Sequence, residues 1–197
     1  YFFTEHRWLQ LEHARSDGVV ELDHTPDESE LLEDADAEKG SPPYEGGVDA
    51  ALGGRGGSFA KKKSLGTVGA VACDSKGRLA AATSTGGMTN KKFGRVGDTP
   101  LVGLGTYADD VCAVSGTGHG EFFMLGVTAY DVSARMKYKN LNLANAASET
   151  IDHLTAIHGE GGLIAVDSQG NISLPFNCEG MYRGYITGGD PTVEIYR

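Results

Sequence analysis

Residues 64–74 read SLGTVGAVACD. The Val-Gly-Ala-Val-Ala run after Thr67 suits a β-strand of small and β-branched residues. That strand starts on Gly66-Thr67, straight after a long stretch without periodicity, which poses a choice. Thr67 is either an ordinary first strand residue or the first residue of a second, mature chain freed by cutting the Gly66–Thr67 bond.

The residues before that bond carry little folding information. Residues 17–49 hold 12 acidic side chains and one base, Lys39, so this window contributes −11 to a formal net charge of −10 and leaves the rest of the 197-residue chain at +1. SPPYEGGVDAALGGRGGSFAKKK (41–63) follows, with paired glycines and no apolar period. Such composition predicts a linker. Ahead of it, TEHRWLQLEHAR (4–15) predicts a short helix capped by Thr4, with Trp8, Leu9 and Leu11 as its apolar members. The chain therefore divides into residues 1–16, an acidic and glycine-rich linker over 17–66, and a folded region over 67–197.

Beyond Thr67, VGAVACD and RLAAATST flank Asp74-Ser75-Lys76-Gly77, a turn signal, and predict a β-hairpin. LVGLGTYA (101–108) and VCAVSGTG (111–118) predict a second strand pair. Residues 121–137 and 143–157 show helical apolar spacing, Phe122, Leu125, Ala129 and Val132 for example. GGLIAVDSQGNISLPFN returns to strands around Asp167-Ser168-Gln169-Gly170, and TVEIYR predicts a last strand. Strands, two helices, then strands indicate an α+β fold with helices layered on sheet.

Composition narrows the function classes. Hydrophobic residues make up 40% and glycines number 29, with no apolar run near the roughly 20 residues that a membrane span needs. YFFTEHRWLQ lacks the order of a secretory signal, and Cys73, Cys112 and Cys178 are odd in number and widely spaced. They read as small buried residues in a reducing compartment, so a cytoplasmic location is expected. With the acidity confined to the linker, no broad basic surface remains for nucleic acid.

Two clusters carry candidate chemistry. TSTGGMTNKKFGRVGDTP (83–100) sets Thr83, Ser84 and Thr85 at a strand end, then Arg95 and Asp98 in a glycine-flanked loop. Arginine binds a carboxylate through two parallel hydrogen bonds and aspartate accepts from an ammonium group, so the pair suits the zwitterionic head of an amino acid. On residue types alone, a local Arg95–Asp98 surface pair is the commoner outcome. SGTGHGE (115–121) stands at a strand-to-helix junction, where backbone N–H groups can face an anion or oxyanion. As a phosphate loop it lacks both the final glycine, which is Phe123, and a Lys-Ser/Thr pair. No zinc spacing and no G-x-S-x-G elbow is present, and a histidine-based triad would have to recruit His119. Thr67 needs no such partner if it heads a chain, because its own α-amino group, with a pKa of about 7.7–8.0, can take the hydroxyl proton.

LGTVGAVACDSKGRLAAATSTGGMTNKKFGRVGDTPLVGLGTYAD, AVSGTGHGE and GGLIAVDSQGNISLPFNCEGMYR, in that order, closely resemble the plant-type asparaginase/isoaspartyl peptidase family of N-terminal-nucleophile hydrolases, from about Leu65 to Arg183. The resemblance implies a four-layer αββα sandwich, lacking its N-terminal part in this chain because the family's long opening segment has no match here. It implies that Thr67 is the nucleophile, freed by self-cleavage after Gly66, with Thr85 and Thr117 as further catalytic residues. Arg95, Val96, Gly97 and Asp98 correspond to the loop that binds the substrate's α-carboxylate and α-amino groups. Thr117, Gly118, His119 and Gly120 correspond to the loop lining the oxyanion and substrate pocket. The implied reactions are hydrolysis of the side-chain amide of L-asparagine and of β-aspartyl dipeptides, by a homodimer of processed α/β units. No catalytic metal or cofactor is implied, and the family's structural sodium belongs to the unmatched segment. The alternative expectation is a truncated, non-catalytic remnant that binds or regulates a partner.

Overall fold

Two turns of the same design organise the strands. The computed structural model describes Trp8, Leu9, Leu11, Glu12, Arg15, Ser16 and residues 66–88 and 91–196. In it the Asp74 carboxylate accepts from the N–H groups of Lys76 and Arg78 at 2.8 and 2.9 Å, and Gly77 takes a φ of 73°. The Asp167 carboxylate does the same for Gln169 and Asn171, both at 2.9 Å, with Gly170 at φ 84°. An Asx turn closed by a glycine in the left-handed region is the local solution that both D-S-x-G stretches encode.

The first turn joins β1 (Thr67–Cys73) to β2 (Leu79–Thr85) in a two-stranded antiparallel hairpin, in register from Thr67↔Thr85 to Cys73↔Leu79. The second joins β5 (Gly161–Asp167) to β6 (Ile172–Ser173). With β3 (Thr106–Ala108) and β4 (Cys112–Gly118) they form an antiparallel sheet ordered β3-β4-β5-β6. Three helices pack on that sheet: α1 (Gly120–Gly126), α2 (Thr128–Lys139) and α3 (Leu143–Ala156), the last capped by the Asn142 side chain on the Asn145 N–H. A small hairpin of β7 (Arg183–Tyr185) and β8 (Thr192–Glu194) follows. The Arg183 guanidinium fixes it, bonding the carbonyls of Met181, Ile195 and Tyr196, pairing with Glu194 at 2.8 Å and lying over the Phe176 ring.

Strand alternation gives the central sheet two unlike faces. Cys112 and Val114 of β4, with Leu163 and Ala165 of β5, meet Phe123, Ala129, Val132, Ala146, Ala147, Ile151 and Leu154 of the helices in one buried cluster. Ala113, Ser115 and Thr117, in register with Val166, Ile164 and Gly162, take the opposite face, where the β1–β2 hairpin lies against β4 and β5. Three layers result: helices, the four-stranded sheet and the hairpin. Among the described residues nothing covers the hairpin's outer face, where Val68 is 69% exposed.

Two expectations need correction. The strand expected over 101–108 is only Thr106–Ala108, because the Asp98 carbonyl takes the Leu101 and Gly105 N–H groups and curls the chain into turns. The single helix expected over 121–137 is broken at Val127, whose φ of 49° is left-handed. Val127 caps α1, while the Leu104 and Gly103 carbonyls take the Ala129 and Tyr130 N–H groups that open α2. Tertiary capping of two otherwise orphan donors offsets the poor backbone of a β-branched residue. β7 is an addition to the strands expected. The described residues of the expected N-terminal helix, Trp8, Leu9, Leu11, Glu12 and Arg15, are helical. The linker up to residue 65 lies outside the described residues.

Among the described residues, no helix is long and apolar enough to cross a membrane.

Candidate active site

Thr67 and Thr85 are direct partners across the open end of the hairpin, on the face turned toward the sheet. The Thr67 hydroxyl donates to Thr85 Oγ1 at 3.4 Å, and Thr85 in turn donates to the Gly66 carbonyl at 3.5 Å. Both are long for hydroxyl bonds, whereas the Gly87 N–H reaches Thr85 Oγ1 at 3.0 Å. One hydroxyl proton and two lone pairs account for all three contacts, so Thr85 is saturated. In the uncut chain it stands against both Thr67 Oγ and the carbonyl of the Gly66–Thr67 bond.

These residues open onto a cavity of about 440 Å³, also lined by Thr83, Met88, Lys91, Gly118, Gly120 and the Arg95–Pro100 loop. Thr83 Oγ1 bonds the buried Ser115 Oγ at 2.7 Å, joining the hairpin to β4 below the cavity. Asp98 is only 8% exposed. Its carboxylate occupies space that side chains at Gly105 and Gly120 would fill: a Cβ at Gly120 would stand 2.6 Å from Oδ1, and one at Gly105 would press on Oδ2. Burial holds the Asp98 carboxyl above the ordinary aspartate range, against its own and the Thr99 N–H groups and the Arg95 charge, which favour the anion. Arg95 pairs with Glu121 of α1 at 3.0 Å.

The structure thus brings Gly66, Thr67, Thr85, Arg95, Val96, Gly97, Asp98, Gly118 and Gly120 to one cavity. Thr117 lies on a second, smaller cavity of about 120 Å³, which shares Thr67 with the first and is bounded by Ser115, Gly116 and Arg183. His119 is turned away from the main cavity: its Nδ1 accepts from the Glu160 N–H at 3.3 Å and its ring packs on Phe122. Sequence reading missed Glu121 as the partner of Arg95 and Ser115 as the support of Thr83. Neither spacing is local, and no short motif signals such pairs. Among the described residues no cluster of His, Cys, Asp and Glu could hold a metal ion.

A hydroxyl beside a peptide carbonyl shares one cavity with a cation and a buried carboxylate, residue types from which a hydroxyl nucleophile and a site for opposite charges can be built. In comparison with known proteins, a family model described as Asparaginase matches residues 1–195, and the chain belongs to that asparaginase family. The chain is 47% identical over 199 aligned residues to an isoaspartyl peptidase of Escherichia coli (strain K12), covering 100% of this chain and 53% of that relative. It is 55% identical to an isoaspartyl peptidase of Salmonella typhimurium, covering 100% of this chain and 54% of the relative. A putative isoaspartyl peptidase/L-asparaginase of Dictyostelium discoideum is 46% identical over 186 residues, 94% of this chain and 53% of the relative. The chain spans about half the length of these relatives.

Proposed function

We propose that this chain carries the nucleophile of an asparaginase/isoaspartyl peptidase. It acts after cleaving itself between Gly66 and Thr67, and it then hydrolyses the side-chain amide of L-asparagine and of β-aspartyl dipeptides. The observation that carries the reading is the meeting of Thr67, Thr85 and the Gly66 carbonyl at the mouth of a cavity that also holds Arg95 and Asp98.

In the uncut chain, Thr67 Oγ attacks the Gly66 carbonyl carbon while Thr85 donates to the carbonyl oxygen. The Thr67 hydroxyl proton passes to the departing nitrogen as the C–N bond breaks, and water hydrolyses the resulting ester, leaving a Gly66 carboxylate and a free Thr67 amine. That amine then serves as the base for the same hydroxyl. Arg95 holds the substrate α-carboxylate and Asp98 the α-ammonium, with Val96 and Gly97 shaping the loop between them. Thr67 Oγ attacks the amide carbon, with Thr117 and Gly118 supporting the oxyanion and the 118–120 loop closing the pocket. The amine departs with the proton, and water releases aspartate from the ester. No metal or cofactor enters these steps.

Residues 1–16 correspond on this reading to the end of the α-subunit, 17–66 to the precleavage linker and 67–197 to the catalytic region. A further helical layer over the open hairpin face would complete an αββα sandwich, working as a cytoplasmic homodimer of processed units. That open face also favours a second reading, a non-catalytic chain that pairs with another family member. Intact-mass measurement with N-terminal sequencing tests the first reading: a fragment beginning TVGAVA should accumulate together with asparagine-dependent aspartate release. Thr67→Ala should stay whole and release none. A wild-type chain that remains uncut and inactive after long incubation overturns it.

A further inference from the structure

An aspartyl head is fully matched by one cation and one anion, Arg95 and Asp98. The cavity holds a second cation that this head leaves over. Lys91 lines the cavity, and among the described residues its ammonium meets no carboxylate at ion-pair distance. Its stem lies along Gly87, where an added Cβ would stand 2.7 Å from Nζ and 3.3 Å from both Cδ and Cε. Gly87 in turn donates its N–H to Thr85 Oγ1. The ammonium therefore lies beside the turn that leaves the strand end carrying Thr85, the partner of Thr67. The other cation, Arg95, is already held by Glu121.

We propose that Lys91 binds the α-carboxylate of the residue that leaves when a β-aspartyl dipeptide is cleaved. This rests on the reading of Thr67 as an amidohydrolase nucleophile and adds to it a basis for choosing among substrates. A β-aspartyl dipeptide differs from asparagine by one residue attached through the amide nitrogen. Its amine is used in that amide, so the residue brings one extra carboxylate and no extra cation. Ammonia, the leaving group of asparagine, offers Lys91 nothing. Arg95 and Asp98 treat the two substrates alike, and Lys91 separates them.

The test compares kcat/KM of the processed protein for asparagine, β-aspartyl-leucine and β-aspartyl-leucine amide, in wild type, Lys91→Met and Lys91→Arg. Wild type should prefer the free acid over the amide by roughly two- to fivefold through KM, the size of one exposed ion pair. Lys91→Met should bring that ratio near one and lower the dipeptide-to-asparagine ratio to match, whereas Lys91→Arg should keep most of both. Equal losses on all three substrates, or ratios that Lys91→Met leaves unchanged, overturn the assignment while the amidohydrolase reading stands. If wild type releases aspartate from none of the three, that reading fails and the assignment falls with it.

Discussion

The two faces of the central sheet invite comparison. Toward the helices, β4 and β5 present Cys112, Val114, Leu163 and Ala165, all fully or almost fully buried in an apolar cluster. Burial there pushes the Cys112 thiol up to about 12, so it behaves as a small apolar residue. Toward the hairpin, the same strands present Ala113, Ile164 and Val166 together with Ser115 and Thr117, and the Thr83–Ser115 hydroxyl pair joins the layers beside two cavities. One face is apolar throughout, and the other mixes apolar side chains with the hydroxyls that stand beside the cavities. Within one seven-residue strand, alternation assigns successive side chains to these two faces.

The largest contrast should come from truncating one residue in the buried helix-side cluster and one on the hairpin's outer face. Phe123 is completely buried, its ring against the space over Gly116 and Gly161. Phe123→Ala should cost about 3–5 kcal/mol in urea unfolding. Val68, on the outer hairpin face, should lose less than about 0.5 kcal/mol on truncation to Ala. A much larger loss at Val68 would break the comparison, because it would mean that the outer hairpin face is covered in solution.

Next in size is Asp98, where function and stability should move in opposite directions. Its carboxyl titrates above the ordinary aspartate range because burial disfavours the anion. The folded state therefore holds the proton to higher pH than the unfolded chain, and an ionised Asp98 weakens the fold once pH rises past the unfolded value. Asp98→Asn should leave Tm unchanged or raised while lowering kcat/KM for asparagine by roughly a hundredfold, the cost of removing one partner of a buried charge pair. The acid limb of the wild-type pH–rate profile should fall above the ordinary aspartate pKa, with activity lost as pH drops through it. A lowered Tm in the variant would place Asp98 with the structural residues.

The same division explains what could be read in advance. The two Asp-to-Gly turns, the hairpin around the first of them and the helix over 143–157 are set by residues within a few positions of each other. Arg95 and Asp98 were legible as a matched pair of charges, but not that Asp98 would be buried over Gly105 and Gly120. The break at Val127 was not legible either, because it depends on carbonyls at 103–104 reaching the first turn of α2. Glu121 beside Arg95, Ser115 beneath Thr83 and the contacts of Arg183 share that cause. Glu121, Ser115 and the Arg183 bonds to the carbonyls of Ile195 and Tyr196 join residues distant in sequence, which neither periodicity nor turn chemistry encodes.

A subtler effect tests whether the hydroxyl contact between the layers is held as firmly as the apolar cluster. Ser115 is almost fully buried, and the 2.7 Å contact to Thr83 is the side-chain hydrogen bond it makes across the layers. Ser115→Ala should cost about 1 kcal/mol, since it leaves the Thr83 hydroxyl only the Gly105 carbonyl at 3.5 Å. Thr83→Val should cost a similar amount. The double variant should lose less than the sum, because the second substitution removes a group that the first has already stranded. Thr83 stands two residues before Thr85 on the same side of β2, so loosening this pair should also slow cleavage at Gly66–Thr67, measured by the mass of the chain over time. Additive losses with an unchanged cleavage rate would show that the hydroxyl pair fills space between the layers without setting the height of Thr67 above the sheet.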